Sequence, residues 1–397
     1  MKTLMIAPQP FFQPRGTPFS VLHRLKALSK LGYQIDLLTY PIGQDVEIDG
    51  VRIFRSANVP GVKNIAIGPS KTKLLLDVLL YRKAVAMLRA NRYDLLHTHE
   101  EAGFMGIRLA KRFGLLHLYD MHSSLPQQLH NFKYSSNPLL VNLFETLERK
   151  TIESAQAVIT ICPELWKYVN EKYPGKFNKL IENVADNSLV FGEQKADPEV
   201  FRKINLNGET VILYTGTFEP YQGLDLLIEA AKEVVQQESD VRFLIVGGKP
   251  EQVEAYRQKV KALNLEPYFI FTGQRPPEEI PVYLQKANIL VSPRVEGTNT
   301  PLKIYAYLRS GVPIVATRHI THTQVLNPDV AVLTDLKPQD FAAGILKVLQ
   351  DPSFAQRLSQ KARELAEKEY SYEAYLQKTR EVYEYLESLL KSKSRPN

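Results

Sequence analysis

Short apolar runs alternate with amphipathic stretches along this 397-residue chain, and the whole rhythm is played twice. In the first half Leu4–Ala7, Ile35–Thr39, Val51–Phe54, Leu95–Thr98, Leu115–Tyr119 and Ala157–Ile161 read as strands. Between them lie helical patterns at Ser20–Leu31, Lys73–Ala90 and Glu101–Phe113. The first and third are stopped by Gly32 and Gly114, residues suited to a left-handed cap. Strand, helix and strand in succession require right-handed crossovers and a mostly parallel sheet. After a weakly patterned polar stretch around 187–209 the rhythm restarts, with strands at Val211–Tyr214, Phe243–Val246, Phe269–Phe271, Ile289–Ser292, Ile314–Ala316 and Ala331–Thr334. The expected class is therefore α/β, with two doubly wound, Rossmann-like domains at 1–188 and 205–370. The carboxyl ends of their strands, where such sheets bind ligands, would face a cleft. The tail from Pro352 to Leu390 is helical by pattern, with a break near Tyr370–Ser371.

Composition narrows the classes. Hydrophobic residues at 44% and charged residues at 23% are ordinary for a globular chain and exclude collagen, wholesale disorder and a multispanning membrane protein. The single cysteine, Cys162, can form no intrachain disulfide and belongs to no CxxC or zinc-finger spacing; before a proline at the end of an apolar strand it reads as a small buried hydrophobe. The N-terminal MKTLMIAPQP is too short in apolar length for a signal peptide, and Leu74–Leu80, broken by Asp77, falls far short of a membrane span. A cytoplasmic protein is expected. Charge is split unevenly: residues 1–190 hold 24 Lys and Arg against 16 Asp and Glu, and 191–397 hold 26 against 27. Only the first half is thus suited to an anionic partner or to the inner face of a membrane, and nucleic acid is not expected.

The loop after the first strand, Pro8–Pro18, lacks the GxGxxG of dinucleotide-binding oxidoreductases. In its place Arg15 and Gly16 precede a helix starting at about Thr17–Ser20, which makes either an anion site or an ordinary turn. His97 and His99 alternate on one strand and face one side of the sheet, with Glu100 and Glu101 after them. No third ligand has a defined spacing, so no metal is expected, and His99 and Glu101 suit substrate hydroxyls better.

The most informative run is SPRVEGTNTPLKIYAYLRSGVPIVAT, Ser292–Thr317: strand, polar turn, helix from near Pro301, Gly311 cap, strand. Thr298, Asn299 and Thr300 stand before a helix N-terminus, where they serve either a ligand's hydroxyls and phosphates or simple N-capping by Thr300. This run resembles the donor-binding segment of retaining glycosyltransferases of the GT-B fold, family 4 in particular. YTGTFEPYQGLDLLIEAA and FTGQRPPEEIPVYLQKANILVSP resemble the same family's flanking segments. DLLHTHEEAG, LYDMHSS, ITICPEL and IENVAD resemble its acceptor-side half, so that the likeness runs in order over almost the whole chain.

The resemblance implies a hexosyltransferase that moves a sugar from a nucleotide-sugar donor to an acceptor hydroxyl with retention, without metal or other cofactor. It implies a donor site on the second domain, the acceptor on the first, and terminal helices, 371–397, that cross back to the first. Site residues carried over are His122 beside the donor sugar as the catalytic histidine, and Gly16 and Gly216 close to the phosphates. The segment from Glu296 through Thr298, Asn299, Thr300, Pro301 and Leu302 would bind the donor. Apart from the resemblance, His319 and His322, which follow this run near Thr321 and Thr323, read as a polar loop at the donor mouth. The departures are specific. Family members commonly carry an Arg and a Lys where this chain has Thr217 and Gln222. Their two glutamates, the second of which holds the ribose, fall on Thr298 and Ala306 when counted back from Gly311 and Pro313, or on Glu296 and Ile304 when counted from Glu296, so that neither register supplies both carboxylates. With two cations missing from the diphosphate site, replacements are required, and Lys303, Arg294 and Arg275 are the candidates. Lys303 is preferred, because a lysine in the first turn of a helix is unfavourable unless it meets an anion.

Three readings stay open: the transferase, a transferase-like binding protein without turnover, and a transferase using a sugar phosphate that lacks a nucleotide. The segment Lys71–Arg92 is either a core helix with a solvated basic side or an interfacial helix. The second alternative would suit a membrane-anchored acceptor.

Overall fold

The computed structural model describes residues 1–13, 16–62, 65, 70–124, 126, 138–184, 206 and 208–393. They form two units, Met1–Asn183 with Glu373–Asn397, and Val184–Tyr372.

The first unit runs β1 (Lys2–Ala7), α1 (Gly16–Lys30), β2 (Gln34–Thr39), β3 (Val51–Arg55), α2 (Lys71–Ala90), β4 (Leu95–His99) and α3 (Ala102–Phe113). It continues with β5 (Leu116–Met121), α4 (Pro138–Ser154), β6 (Ala157–Thr160), α5 (Pro163–Lys172) and β7 (Phe177–Leu180). The strands pair in parallel in the order β3-β2-β1-β4-β5-β6-β7. Central strands are buried on both faces, as helices on either side of a parallel sheet require. The topology reverses between β1 and β4, and the chain leaving those two strands leads to Gly16, which opens α1, and to Glu100–Glu101 before α3.

The second unit repeats the plan: β8 (Thr210–Thr215), α6 (Leu224–Gln237), β9 (Val241–Val246), α7 (Pro250–Ala262), β10 (Phe269–Gly273), α8 (Ile280–Lys286), β11 (Ile289–Ser292) and α9 (Leu302–Ser310). There follow β12 (Ile314–Thr317), α10 (Ile320–Thr323), β13 (Val332–Thr334), α11 (Pro338–Gln350) and α12 (Pro352–Glu369). Its parallel order is β10-β9-β8-β11-β12-β13, with the reversal between β8 and β11. Apolar side chains close both faces of this sheet, Leu227, Phe243 and Phe341 in one cluster and Leu213, Leu290 and Tyr307 in another.

The last helix, α13 (Tyr372–Lys393), follows the break at Tyr370–Ser371 and packs on the first unit. Tyr383 of this helix is fully buried, against Tyr33 and His97.

Three local expectations are corrected. Helix α1 begins at Gly16, just ahead of the expected start at about Thr17–Ser20, because Pro18 sits within its first turn, where a missing N–H costs nothing. The edge strand β7, FNKL, had no apolar run to announce it and is only half-buried along its length. Thr300 is no cap for α9: the N-cap is Pro301, and the buried Thr300 Oγ1 has no hydrogen-bond partner. In α2 the core reading describes Leu76, Leu80, Ala84, Met87 and Leu88, which are buried, while Leu74, Leu75 and Val78 stand exposed.

Candidate active site

In the second unit the chemistry gathers where the topology reverses. Strand β8 ends at Thr215 and the chain turns at Gly216, whose φ of +146° is poorly tolerated by any residue with a Cβ. A Cβ there would lie 3.1 Å from the Tyr214 hydroxyl and 3.6 Å from Lys303 Nζ. From the neighbouring β11 the chain runs through Arg294 into the Gly297 turn, and a Cβ at Gly297 would collide with the Arg294 guanidinium at 2.4 Å. Helix α9 is tied to the end of β8 by Tyr307, whose hydroxyl accepts from the Thr215 N–H at 3.0 Å. Lys303 is therefore delivered by a buried helix to the mouth of β8.

Its environment is unusual for a lysine. The Nζ is sealed from solvent, has no hydrogen-bond partner, and lies 3.9 Å from the centre of the Tyr214 ring. Burial, and then the nearby charge of Arg294, hold its pKa well below the usual lysine value. Arg294 is itself lowered by burial. It donates from Nε to the Glu296 carbonyl at 2.8 Å and stacks on Tyr221 at 5.0 Å. Among the described residues neither cation has a carboxylate in pairing range. Two cationic side chains sunk side by side in protein, with no carboxylate near them among the described residues, are suited to an anion.

The remaining donor-side candidates differ in standing. Arg275 faces Glu279 at 3.9 Å and so has a carboxylate already. Gln222 donates weakly to Thr217 Oγ1 at 3.4 Å, leaving its Oε1 buried without a partner. Thr300 Oγ1 is likewise unpartnered, whereas the Thr298 carbonyl accepts from Gln324 and Glu296 is exposed. Asn299 is part-buried in the same turn, and Pro301 and Leu302 start α9. His322 does not line a polar mouth: it is fully buried on α10, between Ser292 Oγ at 2.8 Å and Thr317, with burial pushing its pKa down to about 3. Ala306 half-packs against the core of its unit, among Tyr305, Tyr307 and Leu308.

In the first unit a buried polar cluster occupies the carboxyl ends of β4 and β5, which place His99 opposite Asp120. Asp120 receives Arg24 Nε at 3.1 Å, faces His97 Nε2 at 3.4 Å and His122 Nε2 at 3.3 Å, and lies 3.7 Å from His99 Nδ1. Burial alone would raise this carboxyl, but Arg24 with His122 and His99 holds it well below the carboxylate range. Burial lowers all three histidines. His97, His99 and Asp120 do converge closely enough for a metal ion, a third ligand that spacing alone could not supply. The Arg24 guanidinium already sits against that carboxylate, however, and would repel a dication. His99 is buried at 1% exposure, inside the cluster rather than out on an acceptor face.

Beyond this cluster Glu101 pairs with Lys73 at 2.8 Å. Glu100, in a left-handed conformation at φ +48°, accepts from the Thr17 hydroxyl at 3.1 Å; burial, and then Glu101, push its pKa up to about 7. Gly16 opens α1, a Cβ built there would meet no described atom within 4 Å, and Arg15 lies outside the described residues. Cys162 is buried, and burial raises its thiol to about 11, the behaviour of an inert thiol. Arg24, Asp120, Thr379 and Tyr383 were not singled out from sequence. The pattern DMH, with a carboxylate two residues before the histidine on one strand face, was the available signal for Asp120.

Residues 15–179 match the family model of the glycosyl transferase 4-like domain, and residues 196–365 match that of glycosyl transferases group 1. Among relatives, mannosylfructose-phosphate synthase of Agrobacterium fabrum is 26% identical over 333 residues, covering 77% of this chain and 71% of that one. Among solved structures, sucrose-phosphate synthase of Thermosynechococcus elongatus superposes with a TM-score of 0.77 at 21% identity, over 98% of this chain and 99% of that one. Anabaena HepE, solved in complex with UDP, gives 0.74 at 18% identity, over 97% and 100%. With both halves matched in order and the doubly wound plan present twice, the chain belongs to the glycosyltransferases of the GT-B fold, family 4-like.

Proposed function

We propose that this glycosyltransferase takes its sugar from a nucleoside-diphosphate donor and transfers it with retention, without a metal, to an acceptor hydroxyl. The observation that carries the reading is the pair Lys303 and Arg294, two cations beside the Gly216 turn with no acidic partner among the described residues. A diphosphate supplies the missing negative charge. As the bond from the anomeric carbon to the phosphate oxygen breaks, the leaving diphosphate keeps the electron pair and takes the proton of the attacking hydroxyl. The two cations stabilise the charge that gathers there, which is where fixed electrostatics contribute most. The role otherwise filled by Arg and Lys at the positions of Thr217 and Gln222 thus passes to residues 294 and 303. HepE's complex with UDP supports a uridine nucleotide as the first to try. Metal independence fits the same pair, since two protein cations already occupy the place of a dication.

His122 would hydrogen-bond a sugar hydroxyl, and Glu101 and Glu100 at the end of β4 suit acceptor hydroxyls. The exposed Leu74, Leu75 and Val78 on α2, with Leu139 and Leu143 exposed at the start of α4, favour an acceptor with an aliphatic anchor at an anionic membrane. None of the described helices is long and apolar enough to cross a bilayer.

Calorimetry with UDP, uridine and inorganic pyrophosphate, with and without EDTA, tests the donor reading. Binding of UDP far tighter than uridine and insensitive to EDTA is expected. Equal affinity for UDP and uridine would contradict the reading. The alternative without turnover draws on Thr217, Gln222 and Ala306; release of UDP from a UDP-sugar in the presence of acceptor would remove it.

A further inference from the structure

We propose that Tyr214 is a positioning residue for the diphosphate site: its ring seats the Lys303 ammonium and its hydroxyl ties down the Thr217 carbonyl, so that the lysine's N–H donors are kept for a phosphate beside Gly216. The phosphate rests on the donor reading above; the seat does not.

Tyr214 stands one residue before the end of β8 and is fully buried. Its ring is held by other rings. Phe218 lies against it with centroids 6.3 Å apart, and Phe218 is in turn met edge-on by Tyr256 at 5.5 Å and by Phe271 at 6.4 Å. Burial holds the Tyr214 phenol well above its usual pKa, so it stays protonated and donates to the Thr217 carbonyl at 2.7 Å. That bond fixes one side of the Gly216 turn, and the Gly216 N–H fixes the other by donating to the Val246 carbonyl at 3.0 Å.

The consequence falls on Lys303. Its Nζ stands 3.9 Å from the centre of the Tyr214 ring and has no hydrogen-bond partner. Among the described residues the charge that acts on it is that of Arg294, of the same sign, while burial keeps His322 of α10 neutral. The face of an aromatic ring attracts an ammonium through its quadrupole yet takes none of its three N–H bonds. A carboxylate in that place would neutralise the lysine and occupy its donors. The Thr217 carbonyl, an acceptor in the same turn, already holds the phenol. A Cβ built on Gly216 would lie 3.1 Å from the Tyr214 hydroxyl and 3.6 Å from Lys303 Nζ, so the space that the glycine leaves open is bordered by both groups. A phosphate oxygen entering there meets a cation already in place, and the cost of ordering a long side chain is not charged to binding.

Carbon–proton NMR of the full chain labelled with 13C-lysine reads the seat without any ligand, with Lys303→Met assigning the signal. Protons held over a ring face are shifted upfield. The Lys303 ε-methylene signal is therefore expected upfield of the other lysines, retained in Tyr214→Phe and lost in Tyr214→Leu; a wild-type signal among the others would overturn the seat. Titration calorimetry reads the role. Tyr214→Leu should weaken UDP about tenfold and uridine less than about twofold, and should cost UDP nothing further once Lys303 is replaced by Met. A loss shared equally by the two ligands, or one of the same size with and without Lys303, would overturn the positioning role. Tyr214→Phe should weaken UDP by about threefold, and unchanged affinity would overturn the part given to the hydroxyl. Should Tyr214→Leu not fold, the wild-type spectrum still decides the seat and Tyr214→Phe the hydroxyl. Should the wild type bind neither UDP nor pyrophosphate, the phosphate falls with the donor reading, and the upfield signal still upholds the seat.

Discussion

Replacing Lys303 by Met separates the ligand's need for this residue from the fold's. In the protein without ligand the Nζ is buried without a hydrogen bond, beside a second cation, and its compensation is the Tyr214 ring at 3.9 Å. An unmade buried polar contact costs about 1–3 kcal/mol, and a desolvated cation–π contact returns about 0.5–2 kcal/mol. Methionine keeps the length and the contact with the ring without the charge. Stability should therefore rise by about 1 kcal/mol, or roughly 2–4 °C in Tm for a unit of this size. The sign with pH follows from linkage. A lysine whose folded pKa is depressed binds fewer protons folded than unfolded, so wild-type stability rises with pH from the lowered folded pKa up to 10.5. Lys303→Met should flatten that slope. Binding moves the opposite way: loss of a charge-assisted bond to phosphate, about 1.5–3 kcal/mol, weakens UDP by about 10- to 150-fold and leaves uridine nearly unchanged. Scanning calorimetry across pH and titration calorimetry with the two ligands make the test. A lower Tm with equal losses for UDP and uridine would refute the reasoning.

Further changes give further outcomes. Gly216→Ala forces a Cβ into a backbone of φ +146° beside Tyr214 and Lys303, and should cost about 1–3 kcal/mol in a denaturant melt as well as weakening UDP. Glu100→Gln should stabilise the protein at pH 8 by about 1 kcal/mol and do nothing at pH 4. The raised pKa of about 7 means that the wild type loses stability as pH climbs from 4.5 through 7, a loss moderated by partial exposure. Tyr383→Phe removes the hydroxyl that meets His97 and should cost about 1 kcal/mol in Tm-derived stability, with UDP affinity unchanged.

The sheets were legible because parallel strands buried on both faces must be continuous apolar runs: VILYT and ILVS could be little else. The strand FNKL was not, since an edge strand half-exposed along its length needs no such run. Lys303 was legible for an electrostatic reason, a cation at the wrong end of a helix, and its sealed, unpartnered Nζ is what that reason leads one to find. Arg24 was not legible. An arginine in an amphipathic helix looks solvated, and its partners lie 96 and 355 residues away. His99 was misplaced for the same cause: alternation gives the face of a strand but not what covers it, here an Arg24 and Asp120 pair roofed by the last helix. His322 followed the polar look of its loop, while its ring turns inward to Ser292 and Thr317.

The most direct test of the central claim is NMR of the product formed from an α-linked UDP-sugar with EDTA present, in which the coupling constant at the transferred anomeric carbon's proton reports its configuration. An α-linked product and undiminished turnover under chelation are expected. A β-linked product, or turnover abolished by EDTA and restored by a divalent cation, would contradict it.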